Sequence, residues 1–349
     1  MNAFVRYNSV IAAFILLPLF LAVYMAIGSQ PLSGDLTRIG GHLEEDFGWN
    51  EPQKVFQSGR FVMAKSITDL DHHYDVVVIG DSFSADRQKG WQNYLVENTG
   101  LSVITFGMAF GFSLEDVVTS APFKDFPPKI LIYESVERRA LQRLHEFSEW
   151  DVQRQVSEVE FLLHSNNVLS RDYPKREHLR KVTVDVERLL SEAANRIEKS
   201  VYRLTGSDKD RTVVLPLKQG NLFSNGTPDK LLVLRDDLQK KFSDNDIATA
   251  VHGLLNARSL VEANGKTKFV FLMFPDKLTA YSPFLSPGTK TVPSAFPALA
   301  KRYPLLRLDQ RFHSELLKGA KDLYLPNDTH TGYYGYKMAA MSLIDYLLQ

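Results

Sequence analysis

The sequence predicts a three-layer α/β fold: a parallel five-stranded sheet covered by helices on both faces, with a helical insertion and an N-terminal transmembrane helix. Three observations predict it. Short, wholly apolar runs alternate with stretches of helical period, the pattern of strands buried on both faces and joined by helices. A charge-rich block of mixed sign interrupts that rhythm from about residue 138 to 236. The first thirty residues hold an uncharged run, Val10–Gly28, which as a helix covers roughly 28 Å, about the thickness of bilayer hydrocarbon.

Only Arg6 and the amino terminus precede that run, and no acid does. The positive-inside rule therefore leaves the N-terminus in the cytoplasm and sends the rest of the chain across. A signal anchor over residues 1–28 is the favoured reading. Cleavage near Ala26–Gly28, where small residues sit at suitable spacing, is the alternative. Residues 29–71, with Gly40-Gly41 and the acidic Glu44-Glu45-Asp46, read as a polar connector carrying no chemistry. Residues 72–349 read as the catalytic domain, insertion included.

Within that domain Asp75–Ile79 is the first strand, ending at Gly80. Trp91, Tyr94 and Leu95 share a helix face, with Gly100 placed to cap it. Leu101–Phe106 is the second strand and Lys129–Tyr133 the third, after the breaker Pro127-Pro128. Asp185–Tyr202 has helical spacing inside the insertion. Ile247, Val251, Leu254 and Val261 mark an amphipathic helix closed by Asn264-Gly265, and Phe269–Met273 is the fourth strand. Leu305–Leu308 is expected as the fifth, followed by a terminal helix from about Gly332 with Ala339, Leu343, Tyr346 and Leu347 on one face.

Composition excludes several classes. Of 349 residues 44% are hydrophobic and 23% charged, an ordinary globular balance. Lys+Arg and Asp+Glu are both 41, so there is no electrostatic case for nucleic acid. With no cysteine, disulfides, a thiolate nucleophile and a thiolate metal site are excluded. Gly107 to Gly111 lacks the spacing of a dinucleotide fingerprint. His72-His73 precede the first strand at the opposite edge of the sheet and read as surface residues. Glu137 and Arg138 read as a structural ion pair.

Two motifs carry chemistry. Gly80-Asp81-Ser82-Phe83-Ser84 follows the first strand directly. In an open parallel sheet ligands bind beyond the carboxyl ends of the strands, so a serine there meets substrate, and free backbone N–H groups beside it can hold an oxyanion. Alone, the motif could equally be an Asp/Ser helix cap. The second is Asp328-Thr329-His330, before the terminal helix. A serine hydroxyl needs a base to become a nucleophile; histidine suits that task, and a carboxylate fixes its tautomer. Alone, Asp-x-His could be a turn or half of a metal site. Together they lie on loops at one sheet edge, which makes Ser82, His330 and Asp328 the expected catalytic triad.

On these two blocks the chain resembles the SGNH (GDSL-type) hydrolases, which have a flavodoxin-like sheet. More narrowly it resembles the alginate O-acetyltransferase-like branch, with further likeness at Tyr133–Arg138, at Phe274–Lys277 with Tyr281, and at Asn327–Ala340. The Asp-x-His follows the serine, as in ordinary SGNH hydrolases; Thr331 stands where the branch has an aromatic residue, and Glu134 lies near the place of the family's third-block Asn. The resemblance implies an oxyanion hole of the Ser82 N–H and a glycine N–H, Gly107 or Gly111, with Gly111 favoured. Lys277 and Tyr281, on the loop after the fourth strand, are with Glu134 the candidate substrate contacts, structural pairing being the other reading, and the reaction requires no metal or cofactor. It implies acetyl transfer to an exported polysaccharide on the periplasmic side of an inner membrane, with a membrane O-acyltransferase as donor. A carbohydrate or lipid esterase, or a non-catalytic scaffold of an export complex, are the alternatives.

Overall fold

The structure, a computed structural model, describes residues 14–16, 34–40, 42, 44–150 and 211–348. It is an α/β protein. Its five-stranded sheet is wholly parallel, in the order β1-β3-β2-β4-β7, compatible with a flavodoxin-like fold. The strands are β1 (Val62–Met63), β2 (Val76–Gly80), β3 (Val103–Gly107), β4 (Ile130–Val136) and β7 (Lys268–Phe274). A separate antiparallel hairpin pairs β5 (Thr212–Pro216) with β6 (Lys230–Leu234). Every residue of β2 and β3 is buried, which is why both read as largely apolar runs, Thr105 apart, rather than alternating ones.

The principal helices, in chain order, are α1 (Asp35–Gly40), α2 (Trp91–Thr99), α3 (Glu137–Ser148), α4 (Asp244–Glu262), α5 (Lys277–Tyr281), α6 (Leu308–Leu317) and α7 (Tyr333–Leu347). Gly100 closes α2 in the left-handed conformation, φ +70°, with its N–H on the Val96 carbonyl. Ser243 and Asp246 form a capping box at the start of α4. The packing of α4 on α3 is close enough to require glycine at one point. A Cβ on Gly253 would lie 1.9 Å from the Leu144 carbonyl oxygen, backbone that cannot swing aside. Gly253→Ala is therefore expected to lower stability by about 2–3 kcal/mol despite alanine's better helix propensity, read as a lower urea midpoint with an unchanged slope.

Three expectations are corrected. Leu305–Leu308 is not a strand: Leu305 and Leu306 are buried in irregular backbone outside the sheet, and Leu308 opens α6. Packing against the core, not strand pairing, makes that run apolar. The fifth strand is β1, at the other edge, from the segment expected to be a connector. That connector belongs to the domain. Phe56 and Phe61 are in the main core, while Leu36 of α1 and Phe47 pack on Leu232 of the hairpin. The described start of the insertion is helical, in α3, but its described end is the hairpin β5–β6, where helix was expected; the helix expected at Asp185–Tyr202 lies outside the described residues. Among the described residues no helix is long and apolar enough to cross a membrane, and Val10–Gly28 lies outside them except for Phe14–Leu16.

β2 is where the strand order turns back on itself. The chain leaves it to one side for β3, then returns past it to β4. The crevice at the carboxyl end of such a switch point is where open α/β sheets bind ligands. Ser82 is the second residue past β2.

Candidate active site

The turn after β2 exposes one side chain and buries its neighbours. Ser82 is exposed; Asp81, Phe83 and Ser84 are buried. Asp81 is fixed on both oxygens. Oδ1 accepts from the Phe83 N–H at 3.0 Å, and Oδ2 accepts from the Val136 N–H at 2.9 Å and from Arg143 Nη1 at 2.6 Å. The motif's aspartate thus ties the serine turn to the end of β4 and to α3. Ser84 donates to Glu134 Oε2 at 2.8 Å and accepts from Trp91 Nε1 at 3.1 Å. A Cβ on Gly80 would lie 2.5 Å from Ser84 Oγ and 2.7 Å from Glu134 Oε2, so glycine is needed there for close approach.

The second motif closes on the first. His330 Nε2 lies 2.8 Å from Ser82 Oγ, and His330 Nδ1 lies 2.6 Å from Asp328 Oδ1. Asp328 Oδ1 also accepts from the His330 backbone N–H at 2.9 Å. The Phe83 ring, tilted 4.8 Å from the imidazole, supports its inner face and itself packs on Phe274. The loop is pinned from within. Leu325 N–H donates to the His330 carbonyl, Asp328 N–H to the Leu325 carbonyl, and Gly332 N–H to the Leu323 carbonyl.

Electrostatics match this geometry. Burial resists charging of His330, but the hydrogen bond and charge of Asp328, with Asp35 adding to them, outweigh it and hold the imidazole above its ordinary pKa. Burial likewise opposes ionisation of Asp328, yet the His330 hydrogen bonds and charge pull its carboxyl down to about 2. The pair is thus arranged to carry a negative Asp328 and to stabilise a positive His330.

Three expected substrate contacts are corrected. Lys277 is fully buried, and its Nζ donates to the carbonyls of Leu325 and Pro326 at 2.8 Å and of Asp328 at 3.2 Å. It braces the Asp328–His330 loop from below, and burial brings its pKa down to about 7. Tyr281 is buried, accepting from the Tyr324 N–H at 3.2 Å. Glu134 is wholly buried on β4, and burial, then the nearby Asp81 charge, holds its carboxyl well above the usual range. None of the three faces solvent, so none can meet substrate in this arrangement. Gly111 stands after β3 with φ +87°, but its N–H already donates to the Met108 carbonyl at 3.0 Å, closing a turn. The Ser82 N–H makes no hydrogen bond among the described residues and is free for an oxyanion.

Glu137 and Arg138 are structural, though not paired with each other. Arg138 Nη1 meets Asp276 Oδ1 at 3.0 Å, while Glu137 Oε2 meets Lys240 Nζ at 3.2 Å. His72 and His73 are exposed, as expected.

One site residue was not expected. Asp35, on α1, reaches the catalytic loop: its Oδ1 accepts from the Thr329 N–H at 2.8 Å, its Oδ2 accepts from Thr329 Oγ1, and its own N–H donates to Asp328 Oδ2 at 3.3 Å. Polar atoms of Asp35, Asp328 and His330 lie within 4.8 Å of one another. Each is engaged within the trio or with Thr329, so the group as it stands is a hydrogen-bonded chain.

Fold and site together define an α/β protein with a Ser–His–Asp constellation at a sheet switch point. No family model, no curated protein and no solved structure matches the chain.

Proposed function

We propose that the chain is a serine-dependent acyltransferase of the SGNH type that moves an acetyl group onto an exported polysaccharide. The observation that carries this is the continuous hydrogen-bonded line from Ser82 Oγ through the imidazole to Asp328, 2.8 Å on one side and 2.6 Å on the other. His330 takes the Ser82 proton as Oγ attacks the acetyl carbonyl. The Ser82 N–H donates to the tetrahedral oxyanion. His330 returns the proton to the leaving group, giving an acetyl-serine; it then deprotonates the sugar hydroxyl that attacks the acetyl carbonyl, and passes that proton to Ser82 Oγ as the Oγ–acyl bond breaks. A Gly111 donor would require its turn bond to Met108 to be given up.

A membrane-side donor fits the chain's layout. Seven Cα–Cα steps separate Gly28, the end of the apolar run, from Asp35 at the site. Fully extended they span at most about 25 Å. A chain anchored by that run holds Ser82 close to the bilayer, on the periplasmic side, where a membrane O-acyltransferase could present the acetyl group. The second reading is an esterase, favoured by the exposure of Ser82, which water can reach.

The test is to give purified protein a chromogenic acetyl ester with and without oligosaccharide and follow the acetyl group. Transfer to sugar hydroxyls supports the acyltransferase; release unaffected by added sugar supports the esterase. Either way the base must be neutral. Because the His330 pKa is raised, kcat/KM is expected to fall as pH drops through a midpoint above the ordinary histidine value of 6.5. A midpoint at or below that value would contradict the His330–Asp328 assignment.

A further inference from the structure

Asp35 reaches His330 from far along the chain and does more there than fill space. Its carboxylate grips Thr329 by both the backbone N–H and the hydroxyl, and Oδ2 stands 4.0 Å from His330 Nδ1. The backbone after it is used too: the N–H groups of Leu36 and Thr37 donate to the Asn327 carbonyl at 3.1 and 3.3 Å. Thr37 and Leu36 are fully buried. A Cβ on Gly34 would lie 2.0 Å from that same Asn327 oxygen, so the segment is pressed directly on the loop. Four consecutive positions, Gly34 to Thr37, therefore fit the residue just before the catalytic aspartate and the residue between Asp328 and His330.

We propose that Asp35 is a positioning residue for acyl transfer. Its carboxyl clamps the Asp328–His330 loop so that Nε2 meets Ser82. When ionised, against the burial and the Asp328 charge that raise its own pKa, it sets a second negative charge behind the imidazole. The inference rests on the serine acyl-transfer reading and adds to it the N-terminal segment as part of the working site. The charged and titratable groups facing His330 are Asp328 on its own loop, Asp35 on α1 and Arg138 at the start of α3, with Lys277 of α5 beneath the Asp328 carbonyl. Arg138 opposes protonation of the imidazole, and the two aspartates favour it. Removing the Asp35 charge therefore lowers the pH at which His330 becomes neutral. Removing only the Thr329 hydroxyl loosens the clamp and leaves both carboxyl groups, and the Thr329 N–H bond to Asp35, in place.

The experiment compares full-length wild type, Asp35→Asn, Thr329→Val and Ser82→Ala in hydrolysis of p-nitrophenyl acetate across pH, together with the His330 imidazole titration by NMR. Asp35→Asn is expected to lower kcat by about 10- to 100-fold, the scale of a small misplacement of catalytic groups, with KM little changed. Its acid limb and its His330 titration should both move to lower pH. Thr329→Val should lose kcat while its limb stays in place. Should Asp35→Asn not fold, Asp35→Ser, smaller and equally uncharged, gives the same reading. A limb and an imidazole titration at the wild-type pH in the uncharged variant, or wild-type kcat, would overturn the proposal. If wild type and Ser82→Ala are equally inactive, the acyl-transfer reading fails, while the NMR titration still decides whether the Asp35 charge acts on His330.

Discussion

Replacing Ser82 with alanine is expected to abolish acyl transfer while leaving the protein folded. Loss of the nucleophile in a serine-hydrolase triad lowers kcat by roughly 10⁶-fold, leaving only what substrate binding and the oxyanion donor supply. Ser82 is exposed, and the hydrogen bond of its hydroxyl is to His330. Nothing in the core depends on it, so the change in unfolding free energy should stay within about 0.5 kcal/mol. The contrast with Ser84 is informative. That hydroxyl is buried between Glu134 and Trp91, so Ser84→Ala is a structural change and not a test of catalysis. Steady-state kinetics with denaturant melts on Ser82→Ala separates the two effects.

The second large effect belongs to Asp328. As a carboxylate it accepts from the Nδ1–H of His330, which leaves Nε2 unprotonated and able to take the Ser82 proton. An asparagine in its place can donate to Nδ1 instead. The proton then sits on Nε2, and the imidazole can no longer act as base. In serine proteases built on the same triad this change costs about 10⁴-fold in kcat with the geometry intact, and the same scale is expected for Asp328→Asn. The pH profile adds a sign. Asp328 is the main group holding the His330 pKa above its ordinary value, so what activity remains should show its acid limb at lower pH. A variant that keeps its limb and loses less than tenfold would mean that Asp328 does not orient the base.

Much of the core and site could be read from the sequence, because the signals there are local. β2, β3, β4 and β7 are buried on both faces for most of their length, and a two-sided strand is largely apolar, with Thr105, Glu134 and Ser135 as buried exceptions. Ser82 follows β2 within two residues, and Asp328 and His330 share one turn, so each half of the triad is a short motif. What stayed hidden is mostly non-local. Asp35 lies 294 positions from its partner Thr329, and nothing in a polar stretch rich in Gly and acids marks which carboxylate will turn inward. β1 has two residues, both half-buried, too short to show alternation. Leu305-Leu306 looked like a strand because a short apolar run reports burial and not hydrogen bonding. Lys277 looked like a ligand for substrate because a lysine at a strand's end is ordinarily exposed. Its neighbours Leu278, Ala280 and Tyr281 are all apolar, a sign that this short helix turns into the core and takes the lysine with it to three loop carbonyls.

The sharpest test of the whole account is to trap the covalent intermediate. Protein mixed with an activated acetyl ester at a pH where His330 is neutral, quenched in acid within the first turnover and digested, should yield the peptide containing Ser82 heavier by one acetyl group. The fragment should place that group on the Ser82 side chain, and Ser82→Ala should show none. Turnover of the ester with no acetyl on Ser82, or with the label on another residue, would contradict the assignment of Ser82 as nucleophile.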